Sequence, residues 1–186
     1  STAIVSPKAE LDEGVVIGPY SIIEDEVCIG KNTVIGAYVR VFNFVEIGED
    51  CKIYENSVLG REPQDHAFRG EETKVIIGDR TIIRENVTIN RATSEGQATV
   101  IGQDTFLMEG VHIGHNVKIG NYVTVANKSG LAGYCEVGDF ANLGGMVGVH
   151  QFTKIGKLCM VGGLSKVVKD IPPFTLADGR PARIYG

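Results

Sequence analysis

Four histidines carry most of the proton chemistry available to this chain: His66, His112, His115 and His150. An imidazole is well matched to proton transfer near neutral pH, and it is also a common metal ligand. His112 and His115 bracket one short segment, His-Ile-Gly-His. Steps of eighteen lead from these residues to small ones. From 115 they reach Gly133 and then Gln151; from 112 they reach Gly130 and Gly148; back from 150 they reach Ala132 and Gly114. If eighteen residues make one turn of the fold, the histidines face columns emptied of side chains. Such a trench is where a base could meet an extended substrate. A second strip, Asn127, Gly145 and Gly163 beside Ala126, Gly144 and Gly162, could admit an apolar chain. Zinc is the competing chemistry. The His pair is too small for a closed shell and no cysteine or acid has ligand spacing, so no metal is expected.

The step of eighteen comes from a repeat of six. From Val5 to Val167, every sixth position is Ile, Val or Leu at 25 of 28 places; Asp65, Glu71 and Glu95 are the exceptions. About a quarter would be expected at random from this composition, so the period is structural. Four residues after each aliphatic position in the block from Ile101 sits a small or β-branched side chain, such as Thr105, Val111, Ser129, Cys135 or Cys159. A period of six fits neither a helix nor a simple strand. It fits a parallel β-helix of hexapeptide repeats with three short strands per coil and about nine coils. Each coil points aliphatic residues inward and pairs its backbone with the coil below. Glycine directly after the aliphatic position, as at Gly18, Gly78, Gly120 and Gly138, predicts corners with positive φ.

The chain has 186 residues and a net charge of -5, with both signs interspersed. One domain is expected, with no basic face for nucleic acid. No apolar run is long enough for a membrane span, and the N-terminal STAIVSPKAEL has no basic-then-apolar leader pattern. The four cysteines, Cys28, Cys51, Cys135 and Cys159, read as free thiols, three of them on the small inward position. Reduced thiols suit the cytosol.

Two segments leave the repeat. The first, 61–74, reads REPQDHAFRGEETK and carries Asp65 and His66; the second, 94–98, reads SEGQA. Loops on a rigid solenoid are candidate functional segments, the first more so than the second. The β-helix is expected over 1–171. Pro172-Pro173 is expected to end the ladder, because proline lacks the donor, leaving 172–186 as a cap or linker.

The repeat, together with PQDHAFRGEETKVIIG, IRENVTINRAT, MEGVHIGHN, GGMVGVHQF and VGGLSKVVKDIPPF, resembles the UDP-N-acetylglucosamine O-acyltransferase family over nearly the whole chain. That resemblance implies a left-handed parallel β-helix and a homotrimer with active sites between subunits. It implies transfer of a 3-hydroxyacyl chain to the sugar 3-hydroxyl, the first step of lipid A biosynthesis in the cytoplasm. No bound cofactor is implied; the donor is a phosphopantetheine thioester on acyl carrier protein. The partners implied are that carrier and a UDP-sugar. The general base matches His115. The oxyanion donor matches the Gly133 N–H, and the substrate-binding residues match Asp65, His112, His150 and Gln151. Gly163 matches the residue that limits acyl length. The family usually has Asp where this chain has Asn116, His at Tyr134 and Lys at Ala67. The family's helical C-terminal domain has no counterpart before Gly186.

The neutral Asn116 gives an imidazolium less support than a carboxylate would, and a weaker base suffices for an amine. An N-acyltransferase acting on a 3-amino sugar nucleotide is therefore the alternative enzyme. A non-catalytic trimeric β-helix binding module is the alternative of another class. A γ-class carbonic anhydrase would share the fold but need zinc.

Overall fold

In the computed structural model, which describes residues 2–186, the chain runs through 27 strands of two to four residues and, among the described residues, forms no helix. The strands fall into three sheets of nine, eight and ten, and every strand but the last, Ala182–Ile184, pairs in parallel with one a full coil away. The result is a left-handed parallel β-helix, a three-walled prism. Register places aliphatic on aliphatic along each wall, as in the stack Ile113, Leu131, Val149, Val167. All four are buried. At the first coil nothing covers the column from below among the described residues, and Val5 and Leu11 stay exposed.

The small inward position has its own chemistry. Buried hydroxyls there bond across the corner to backbone carbonyls, as Ser129 Oγ does to Gly144 O at 2.9 Å. The same oxygen accepts the Val147 N–H of the next coil at 3.0 Å. A buried hydroxyl is thus satisfied twice, which removes the desolvation cost. Cys51, Cys135 and Cys159 occupy the same kind of position as buried free thiols, while Cys28 is exposed. Burial pushes the Cys135 thiol up to about 11, so it packs as an inert apolar group.

The corners differ from the expectation. Gly18, Gly78, Gly120 and Gly138 do not hold the left-handed conformation. A Cβ on any of them would overlap the coil above, so close stacking is what requires glycine there. Positive φ falls two residues later, on bulky residues such as Tyr20 (60°), Tyr122 (57°) and Phe140 (59°). That conformation costs an L-residue about 1–2 kcal/mol. Ring stacking offsets part of it: Tyr122 and Phe140 lie 4.8 Å apart between centroids with planes 6° from parallel.

The two excursions keep the repeat in phase because of their lengths. Ile47 pairs with Ile77, 30 residues on, and Ile77 with Ile101, 24 residues on. Relative to eighteen these are insertions of twelve and six. The prolines do not end the ladder. Beyond Pro172-Pro173, Leu176–Gly179 pairs in parallel with Met160–Val161 and then antiparallel with Ala182–Ile184. The prolines sit at a corner, where no ladder donor is lost, and 172–186 closes the prism with a hairpin. Among the described residues no helix is long and apolar enough to cross a membrane.

Candidate active site

The site lies on the wall formed by Thr88–Asn90, His112–Ile113, Gly130–Leu131, Gly148–Val149 and Lys166–Val167. Alternation along each strand sends Ile113, Leu131 and Val149 into the column and His112, Gly130 and Gly148 outward. Register aligns His112 with Gly130 and Gly130 with Gly148. A Cβ on either glycine would meet nothing within 4 Å. The trench read from steps of eighteen is therefore open space, a cleft of about 540 Å³. Its walls include His112, His115, Gly133, His150 and Gln151, with Gln64 entering from the first excursion and Asn90 at the lower end.

His115 stands at the corner after its strand, its side chain 13% exposed. Nδ1 lies 3.0 Å from Asn116 Oδ1. That oxygen also accepts the Thr93 backbone N–H and the Thr93 hydroxyl, both at 3.0 Å. A backbone N–H can only donate, so the atom it meets is the amide oxygen. Nδ1 of His115 is then the protonated nitrogen, and Nε2 is left as the acceptor. Asn116 Nδ2 donates to Gln97 Oε1 at 2.6 Å, and Tyr134 OH reaches the Thr93 hydroxyl at 2.8 Å. Asn116 is itself at φ 58°, a conformation asparagine tolerates better than most residues. Tyr134 meets the His115 ring edge-on at 5.3 Å and stacks on Phe152 at 4.9 Å.

The other expected residues fall as follows. A Cβ on Gly133 would overlap the His115 ring, so this position must be glycine for the imidazole to lie where it does. Asp65 folds back over the corner, its Oδ2 4.0 Å from His115 Nε2, too long for a direct hydrogen bond. Its Oδ1 accepts the Ala67 N–H at 2.9 Å. His112 Nδ1 is 2.7 Å from Thr88 Oγ1, and burial holds the ring below the usual histidine range, favouring the neutral form. His150, two rungs above Gly114, is exposed and donates from Nδ1 to its neighbour's carbonyl, Gln151 O, at 3.3 Å. His66 is exposed in the excursion. Gly163 does not join this group. It stacks on Gly145 at the opposite edge of the same wall, a Cβ there standing 3.3 Å from Gly145 O. No group of three or more His, Cys, Asp or Glu suited to a metal occurs among the described residues.

Sequence reasoning missed Asn90, Thr93 and Gln97. The first two stand in IRENVTINRAT and the third in the second excursion. Their signal was hidden because that excursion changes the step from 18 to 24, so counting back from the histidines by eighteen lands on the wrong residues.

The Bacterial transferase hexapeptide (six repeats) family model matches residues 8–43 and 98–133. The chain is 51% identical over 186 residues to the acyl-[acyl-carrier-protein]–UDP-N-acetylglucosamine O-acyltransferase of Thermodesulfovibrio yellowstonii, covering 100% of this chain and 72% of that one. Among solved structures, LpxA from Acinetobacter baumannii superposes with a TM-score of 0.98 at 39% identity, covering 100% of this chain and 72% of that one. LpxA from Bacteroides fragilis, a UDP-N-acetylglucosamine acyltransferase, gives 0.96 at 40% identity with the same coverage.

Proposed function

The chain belongs to the UDP-N-acetylglucosamine O-acyltransferase family, and we propose that its cleft moves a 3-hydroxyacyl chain from acyl carrier protein to the 3-hydroxyl of UDP-N-acetylglucosamine, the first step of lipid A biosynthesis, with His115 as general base. The observation that carries the assignment is the bond from His115 Nδ1–H to Asn116 Oδ1. It leaves Nε2 as a proton acceptor beside a cleft bare of side chains.

The chemistry then runs on this chain's groups. Nε2 takes the proton of the acceptor hydroxyl as its oxygen attacks the thioester carbonyl. A carbon–oxygen bond forms and the carbonyl oxygen becomes an oxyanion. The Gly133 N–H, which donates to no other backbone group among the described residues, is suited to hold that charge. Collapse breaks the carbon–sulfur bond, and the imidazolium returns its proton to the departing thiolate. Asp65 sets a carboxylate near the charge formed on His115, a role the neutral Asn116 cannot supply. His112, His150 and Gln151 line the cleft as contacts for substrate.

The base and Gly163 stand on opposite edges of one wall, so a single chain does not join them. Three copies around a threefold axis would set one chain's His115 edge against another's Gly163 edge and close the cleft. This supports a homotrimer that meets acyl carrier protein at the cleft mouth. Four free thiols suit the cytoplasm.

Mass spectrometry of products from UDP-N-acetylglucosamine, its 3-amino analogue and carrier thioesters of graded length tests the reading. O-acylated UDP-N-acetylglucosamine is expected. Product from the amine alone would make the enzyme an N-acyltransferase, and no product from a trimeric sample would leave a binding module.

A further inference from the structure

Asn90 is 3% exposed and forms part of the cleft wall. Its Nδ2 donates to two backbone carbonyls of the first excursion, Glu62 O at 2.8 Å and Arg61 O at 3.3 Å. An amide nitrogen has two hydrogens, and both are used. The side chain cannot turn over without losing both bonds. Its other end, Oδ1, is buried and accepts no hydrogen bond from the described residues. A buried amide oxygen is costly to leave unpaired, and native interiors rarely do so without a reason. Register puts it close to the chemistry. Ile89 pairs with Ile113, so Asn90 stands one rung below Gly114, the residue before His115.

We propose that Asn90 is a specificity-determining residue whose Oδ1 accepts a hydrogen bond from a hydroxyl or amide N–H of the bound substrate. The site is an acceptor only, because the two carbonyls at 61 and 62 fix which end of the amide faces away from them. It therefore selects a donor and rejects a carbonyl, phosphate oxygen or methyl at that point. The inference rests on the acyl-transfer reading for the identity of the ligand. Two sources have this chemistry within a rung of the base. One is the sugar, whose acetamido N–H and 4-hydroxyl flank the attacked oxygen. The other is the 3-hydroxyl of the acyl chain.

The test pairs a deletion on the protein with deletions on the ligand. Asn90→Leu keeps the size and removes the acceptor; Asn90→Ala also removes it and serves should Asn90→Leu fail to melt cooperatively. Each is assayed with UDP-N-acetylglucosamine against UDP-glucose, its 4-deoxy analogue, and 3-hydroxyacyl against unsubstituted acyl carrier thioesters. The native protein should discriminate against one of these analogues by about 10–100-fold in kcat/KM, and the variant should lose most of that discrimination. Loss on the acyl pair assigns the bond to the acyl hydroxyl; loss on a sugar pair assigns it to the sugar. Equal loss on every substrate would overturn the proposal. Calorimetric binding of the UDP-sugars to native protein and variant keeps the two readings separable. Native protein that binds and discriminates the sugars but transfers nothing would retire the acyl-transfer reading and leave Asn90 standing if the variant loses the discrimination. Native protein that neither transfers nor discriminates overturns both.

Discussion

Gln97 Oε1 accepts the Nδ2–H of Asn116 at 2.6 Å, and this bond ties a surface loop to the orientation of the His115 imidazole. Thr93 holds the oxygen end of the same amide, and Gln97 holds the nitrogen end. If the amide turned over, it would offer Nδ2 to His115 Nδ1 and favour the unproductive tautomer.

Removing that hold should therefore cost turnover rather than binding. Gln97→Ala should lower kcat by about tenfold with KM little changed, since the interaction acts on the base and not on ground-state substrate. Gln97→Glu restores an acceptor for Nδ2 and should recover most of the loss. Steady-state kinetics on the three proteins checks this, and an unchanged kcat for Gln97→Ala would show that Thr93 alone holds the amide.

Loss of the base itself should be far larger. His115→Ala should reduce turnover by about 10²–10⁴-fold while calorimetry still detects a bound UDP-sugar. His150→Ala should retain more activity, because His150 stands two rungs above Gly114, roughly 10 Å. Near-normal turnover in His115→Ala, with His150→Ala or His112→Ala inactive, would move the base elsewhere.

Asn116→Asp keeps an acceptor for His115 Nδ1–H and for both Thr93 donors, and Gln97 can meet the new oxygen with its own amide. A carboxylate beside the imidazole favours the charged ring, so the histidine pKa rises. The acidic limb of the pH–rate profile should move to higher pH, because the base is protonated over a wider range. Above that limb, turnover on the hydroxyl acceptor should increase several-fold through support of the imidazolium, with little change for an amine. A profile that does not move would mean that Asn116 does not face the reacting ring in solution.

Gly163→Met places a long side chain on the strip above Gly145. Preference among acyl carrier thioesters should move to shorter chains, with turnover on the shortest least affected. An unaltered chain-length profile would show that the acyl chain runs along another edge.

The column of the fold was legible because a buried position every six residues has one physical solution, and each buried side chain reports its own register. The corners were not. Placing Tyr20, Tyr122 or Phe140 in left-handed backbone runs against local preference, and contacts between coils, ring stacking and corner hydrogen bonds such as Tyr122 N–H to Gln103 O, offset part of that cost. At the site, steps of eighteen aligned His112 with Gly130, and the resemblance marked His115 with Gly133. Both lie in an uninterrupted stretch, where spacing alone predicts neighbours. Thr93 and Asn90 lie across an excursion and Gln97 lies within it, where spacing predicts the wrong neighbour. Counting back eighteen from Gly114 reaches Gly96, yet the residue one rung below Gly114 is Asn90.

The lengths of the two excursions bear on how such a molecule can change. Asp65, Glu71 and Glu95 occupy phase positions that elsewhere hold the column, and a carboxylate there could not be buried unpaired. The insertions equal two sides and one side of the prism, so each behaves as a displaced repeat rather than a foreign graft. Whole repeats can be gained or lost at these corners without re-threading any coil beyond them. The segments that edge the cleft from outside the coils are thereby modular, while the coils themselves are not.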